Sequence, residues 1–326
     1  MGAGLGQSWR FDLTVVSGCV VDEFFQVRGF PIVEGSIVLT APSVLSPGGS
    51  CIVAVTASRL GLKVGVVDRV GDDLFGRSLR ESLRREGVVV EGIRSVRGAH
   101  TSRCIVLFSG GDHYVYVGTQ GPKLTEDDVA PEVFTRSRAI FFDGYALTNI
   151  SEAVATKLLD CLKYAKARGS IIFFDPGPVV EFIDNLNSFV DVCDVIFMND
   201  SEAEILSKRY KTQLDDLSAT FGKTLVIKLG SKGSCIIQNG CKTFSPAFIA
   251  KVKTSVGAGD VFDGAFIWGR LSGLGYTESS TLANLAASIK LSGVGARSIP
   301  TRRKLMKVAK KSGLEFNLGA YTGDCA

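Results

Sequence analysis

The sequence of 326 residues is short of the features that mark several protein classes. It has only two histidines, His100 and His113, and no Cys-x-x-Cys pair, which argues against a zinc cluster. Its eight cysteines are Cys19, Cys51, Cys104, Cys161, Cys193, Cys235, Cys241 and Cys325. In a chain this long most are expected to be buried small hydrophobes, with a disulfide only in an exported or hyperthermophilic protein. Excess charge is scarce too: 37 basic against 33 acidic side chains leave +4, too little to imply a nucleic-acid partner. No run reaches the ~18 uninterrupted apolar residues of a membrane span. The Gly-rich segment Met1–Arg10 lacks the charged start and long apolar run of a secretory leader, and Gly6 stands where myristoylation wants Ser or Thr. The expectation is a cytoplasmic protein with no membrane partner. A Gly-x-x-x-x-Gly-Lys-Ser/Thr segment is missing, which excludes a Walker A mechanism. The first strand leads into Gly18-Cys19-Val20-Val21-Asp22, not into a Gly-x-Gly-x-x-Gly helix start, which argues against a dinucleotide oxidoreductase.

At 45% apolar and 21% charged the chain is ordinary globular protein, in one large domain or two smaller ones. Short β-branched or aromatic runs read as strands: Leu13–Val16, Val64–Val67, Ala139–Phe142, Ser170–Phe174, Val195–Met198 and Thr224–Lys228. Helical spacing marks Cys51–Leu60, Leu74–Glu86, Glu152–Arg168, Ser201–Arg209, Leu214–Phe221, Val261–Leu271 and Thr277–Leu291. This alternation implies an α/β fold with a mainly parallel sheet covered on both faces, and ligands beyond the carboxyl ends of its strands. Glu23–Leu39 and Thr101–Val117 break the alternation. They are expected to pair into a small accessory sheet or to extend an edge of the main one. The segment from Lys310 onward reads as a loosely attached end.

The stretch with most chemistry is Thr254-Ser255-Val256-Gly257-Ala258-Gly259-Asp260, which feeds an apolar helix. Glycines let backbone N–H groups converge, and a helix start adds unpaired donors and partial positive charge, so the turn suits a phosphate. Asp260 at its lip is either the acceptor of a proton from an attacking hydroxyl or a simple capping acid. Elsewhere two readings also stand. Asn199 with Glu202 is a helix cap or part of a magnesium and phosphate site. Lys228 is a phosphate contact or a solvated strand end. Asp22 holds hydroxyls or ends a strand.

In this order the segments resemble the ribokinase-like (phosphofructokinase B type) family of sugar and nucleoside kinases. Gly257-Ala258-Gly259-Asp260 followed by Gly264-Ala265 is similar to its C-terminal signature, with Thr254-Ser255 in place of Asp-Thr. The resemblance implies that Asp260 is the catalytic base and that the amides of Gly257, Ala258 and Gly259 hold the developing phosphoryl charge. It implies ATP contacts from Asn199, Lys228, Gly230, Gly233 and Asn284, with Glu202 reaching Mg2+ through water. On the acceptor side it implies Asp22, Gly48, Gly49 and Ser50, with Arg103 and Tyr116 completing the pocket. Besides Thr254, two further positions depart from the family: Ile52 stands where an Asn binds acceptor hydroxyls, and Gly177 replaces Asn after Asp175-Pro176.

The fold so implied is a ribokinase-like three-layer α/β/α sandwich with a small β-sheet lid. One kinase domain would span 11–310, its lid drawn from about 23–47 and 99–118, with a tail at 311–326. The implied reaction moves the γ-phosphoryl group of ATP to a hydroxyl of a sugar or sugar acid. The alternative is a nucleoside kinase whose base lies among Phe24, Phe25, Phe30, Tyr114 and Tyr116; from another class, a non-catalytic sugar or nucleotide sensor. The resemblance also raises a monovalent cation such as K+ and a homodimer through the lid.

Overall fold

The structure, a computed structural model, describes residues 10–16, 18–35 and 41–318. In chain order the first strands are β1 (Phe11–Val16), β2 (Cys19–Gln26), β3 (Val44–Gly49), β4 (Val64–Gly71), β5 (Ile93–Val96), β6 (Arg103–Ser109) and β7 (Asp112–Thr119). They continue as β8 (Ser137–Asp143), β9 (Ile171–Asp175), β10 (Val195–Asn199), β11 (Thr224–Lys228), β12 (Ser234–Gln238) and β13 (Cys241–Ser245). Nine of them form one sheet in the order β13-β12-β11-β10-β9-β8-β1-β4-β5, and four form a second in the order β3-β2-β6-β7.

The large sheet is parallel except at one edge, where β11, β12 and β13 are antiparallel neighbours. Its strands are apolar on both faces because side chains alternate with period two and each face meets helices. Phe141, Phe173 and Phe197 belong to one core, against the helices Ser50–Arg59, Ala258–Leu271 and Tyr276–Leu291. Phe142, Phe174 and Met198 belong to the other, against Glu152–Ala167, Leu186–Val192 and Asp200–Tyr210. Each such side chain contributes about 1.5–3 kcal/mol on burial, so the two cores hold the layers together.

Several boundaries move. Asp22 is inside β2, the second strand, and does not end the first. Pro47, Gly48 and Gly49 form the end of β3 and lead straight into the helix Ser50–Arg59. The helix expected from Val261 already begins at Ala258, so Asp260 lies in its first turn. The accessory segments do pair into a separate sheet; residues 36–39 of the first lie outside the described residues. Beyond the helix Arg302–Lys311, Leu314, Phe316 and Leu318 pack on the core, so the chain stays attached that far. The segment 319–326, with Cys325, lies outside the described residues, as do residues 1–9 and the leader positions read there. The seven described cysteines are free, and five of them are buried: Cys19, Cys51, Cys161, Cys193 and Cys235. No helix is long and apolar enough to cross a membrane among the described residues.

Candidate active site

The turn before the helix Ala258–Leu271 is held by two local hydrogen bonds. The Val256 N–H donates to Thr254 Oγ1 at 3.3 Å and the Ala258 N–H to the Ser255 carbonyl at 3.0 Å. The turn of the β6–β7 hairpin reaches this loop, with Gly111 bridging Thr254. Gly257 takes a left-handed φ of 78°, and a Cβ there would sit 2.6 Å from Ile52 Cδ1. Only glycine fits both demands. Among the described residues the amides of Gly257 and Gly259 donate to no protein acceptor, whereas that of Ala258 is spent on Ser255. Two free donors and the positive end of a 14-residue helix therefore form a cradle whose chemistry suits an anion.

Asp260 lies in that first turn. Burial pushes its pKa up to about 6 against the pull of the Lys228 ammonium, with Asp175 adding repulsion. It is thus ionised near neutral pH yet basic enough to take a proton. Asp22 faces the same cavity from β2, and its pKa is raised to about 7, first by burial and then by the Asp260 charge. The opposite strand makes room for this carboxylate at Gly48, where a Cβ would come within 2.2 Å of Asp22 Oδ2. Ser50 does not line the cavity; its hydroxyl donates to the Asp143 carboxylate, which also accepts from the Ala146 N–H at 3.0 Å. The cavity is about 540 Å³ and opens onto Asp22, Gly49, Ile52, Gly257 and Asp260. Ile52 thus lines the cavity beside Gly257, the place where an amide was looked for.

Arg103 and Tyr116 are not brought to the cavity. In β6 and β7 the adjacent positions, Cys104 and Val117, line it instead. Arg103 points the other way, pairing with Glu23 at 2.9 Å and stacking 3.8 Å over the Phe75 ring. Tyr116 pairs with Ile105 across the outer face and is 56% exposed. Phe24 packs inside the lid against Phe108, and Phe30 against Tyr114; the aromatics at the cavity are Tyr145 and Phe182. Tyr116→Ala is therefore expected to leave the acceptor KM within about twofold, the range of a surface change away from a site. A tenfold rise in steady-state KM would place the ring in the pocket after all.

The sequence reading missed Asp68, Arg69 and Lys123, which also line the cavity. Asp68 accepts from the Cys19 N–H at 2.9 Å, and Arg69 is anchored by Asp128 at 2.6 Å. The first two follow Val64–Val67 directly, at the carboxyl end where ligands gather, and the strand's true length carries them there.

On the other side of the helix start, Asn199 and Glu202 form a reciprocal capping box, at 2.9 Å and 2.8 Å. Lys228 is neither a solvated strand end nor free for phosphate. Its Nζ is 2.5 Å from Asp175 Oδ2 and 3.2 Å from both Asp263 oxygens, beneath Gly259. Gly230 and Gly233 form the turn between β11 and β12. Asn284 is buried and spends its amide on Ser234 Oγ, Ser245 O and Pro246 O, tying down the β12–β13 hairpin. No cluster of three or more His, Cys, Asp or Glu able to cage a metal occurs among the described residues. Glu202 keeps one oxygen outside the cap and lies in the field of Asp175, an oxygen-rich edge suited to a hydrated Mg2+ that arrives with phosphates.

The chain is similar in sequence and in fold to known kinases. A fructokinase-2 from Solanum lycopersicum is 30% identical over 255 residues, covering 73% of this chain and 76% of its own. A ribokinase from Arabidopsis thaliana, solved with ribose and ATP, superposes with a TM-score of 0.75 at 23% identity over 92% of this chain and 99% of its own. An adenosine kinase from Sinorhizobium meliloti superposes with a TM-score of 0.77 at 22% identity, over 93% and 99%. The fold is therefore ribokinase-like. The pfkB family carbohydrate kinase model matches residues 13–302, nearly the whole described chain, and the protein belongs to that family of phosphotransferases with an alcohol acceptor.

Proposed function

We propose that the chain transfers the γ-phosphoryl group of ATP to a hydroxyl of a sugar or sugar acid, with Asp260 as general base. The observation that carries this reading is one cavity shared by Asp260, Asp22 and the free Gly257 amide. Asp22 accepts hydrogen bonds from acceptor hydroxyls and so aims one of them at Asp260. Asp260 takes the proton of that hydroxyl as its oxygen attacks phosphorus. The Gly257 and Gly259 amides, with the helix start, stabilise charge on the transferring group, the main task of the protein in phosphoryl transfer. Glu202 would hold Mg2+ through water, and the ion would supply charge neutralisation on the phosphates. The lid keeps water from the acceptor side.

A sugar acid is favoured by Arg69 and Lys123 at the cavity wall, which complement a carboxylate. The nucleoside alternative draws on Tyr145 and Phe182, which offer an apolar end for a base. ADP release with Mg·ATP is the test, run with fructose, ribose, 2-keto-3-deoxygluconate, myo-inositol and several nucleosides. Turnover on a sugar or sugar acid, and not on nucleosides, is the expected result. Nucleoside turnover alone would move the assignment to the alternative. ATP binding with no turnover on any acceptor would favour the sensor.

A further inference from the structure

Lys290 was not singled out by the sequence, because it sits inside the apolar run of the helix Tyr276–Leu291. Its side chain is 0% exposed, although lysine is almost never fully buried without a partner. Its Nζ donates to the Val256 carbonyl at 2.7 Å, on the loop that carries the cradle. The acidic groups that act on it are Asp260, from the helix Ala258–Leu271, and Asp22, from β2. Both line the cavity. A charge in this position carries a desolvation cost that a packed Leu or Met would avoid.

The peptide between Val256 and Gly257 gives the ammonium a specific effect. The unit is planar and trans, so its C=O and N–H point in opposite directions. A bond that pulls the Val256 oxygen toward Lys290 turns the Gly257 N–H away from it. That N–H is one of the two free amides of the cradle, and Gly257 lines the cavity. A glycine on one side of the peptide leaves its rotation soft, since Gly accepts φ of either sign at similar cost. The local contacts of the loop engage the amides of Val256 and Ala258 and leave this plane alone. Lys290 is the side chain that holds it.

We infer that Lys290 is a positioning residue for phosphoryl transfer, its ammonium fixing the Val256–Gly257 peptide so that the Gly257 N–H faces the transferring group. This rests on the kinase reading above. The same contact gives the loop its own cation, so turnover should not need one from solution.

Lys290→Met keeps the length and removes the donor and the charge. Its kcat is expected to fall by about 10²-fold, the effect of losing one preorganised anion-hole donor, while the KM for ATP changes little. Lys290→Ala leaves a cavity that ammonium or methylammonium can enter, and either salt should restore part of kcat where tetramethylammonium does not. A merely structural lysine would lower the melting temperature without a kcat-specific loss or selective rescue. Wild-type turnover should be equal in potassium, sodium and tetramethylammonium chloride, a measurement that needs no variant to fold. Lys290→Met at wild-type kcat, or activation of the wild type by potassium, overturns the inference while the kinase reading stands. A wild type that releases no ADP with any acceptor overturns the kinase reading, and the role of Lys290 with it.

Discussion

Asp260→Asn is expected to lower turnover by about 10²–10⁴-fold, the usual loss for a general base, with ATP binding nearly unchanged. The substitution preserves shape and first-turn position but leaves an amide that cannot take a proton. The same cause gives a pH limb. Burial raises the Asp260 pKa to about 6, so the group is protonated and inactive below that pH and competent above it. For the wild type, kcat/KM should therefore rise as pH climbs through about 6 to 7, as Asp260 and then Asp22 ionise, and level off below about 8, where Lys290 starts to lose its proton; the Asn variant should keep only the part due to Asp22. Removing the Asp260 charge should also bring the pKa of Asp22 down from about 7, since that charge is among the causes holding it up. Initial rates of ADP release from pH 5 to 8, with calorimetric ATP binding beside them, check both parts. A variant that keeps more than about a tenth of wild-type kcat would remove Asp260 from the role of base.

What could be read before the structure depended on how local the cause was. The cradle was legible because it needs consecutive residues: glycines, a helix start and an acid in the first turn. The strands of the main sheet were legible because both faces are buried, leaving short unbroken apolar runs. Arg103 and Tyr116 misled because alternation says that neighbours face opposite ways without saying which one faces the ligand. A register irregularity between Arg103 and Cys104 shifts that parity. Asn199, Glu202 and Asn284 were found, but the partners that occupy them are a cap and a hairpin, and Ser234 and Ser245 lie far from Asn284 in sequence. The β12–β13 hairpin was passed over because β13 is exposed at the sheet edge and so lacks an apolar signature. Lys228 and Lys290 were hardest. A buried lysine is a contradiction in sequence until its acids or carbonyl appear, and those come from other elements.

Lys228→Met should be the most destabilising single change near the site. Lys228 bridges Asp175 and Asp263, whose side chains are 13% and 0% exposed. Removing one member of such a buried group leaves the remaining charges uncompensated, at a cost of about 3–5 kcal/mol. The sign with pH follows from the two carboxylates. In the wild type the ammonium holds the Asp175 pKa below its ordinary value despite burial, so that contribution is present above the unfolded pKa and fades as pH falls through the folded one. Asp263 already lies well above its ordinary value through burial, despite the ammonium, so without Lys228 burial and mutual repulsion leave both folded pKa values above those of the unfolded chain. The folded variant then binds more protons than the unfolded one, and its stability falls as pH rises. Relative to wild type, its deficit in thermal or urea unfolding should be largest at about pH 8 and shrink toward about pH 5.5. A deficit below about 1 kcal/mol at pH 8, or one independent of pH, would mean that the carboxylates find other partners or water. In that event the floor beneath Gly259 is not held by charge, and the position of the cradle would have to rest on the apolar packing of the helix Ala258–Leu271 alone.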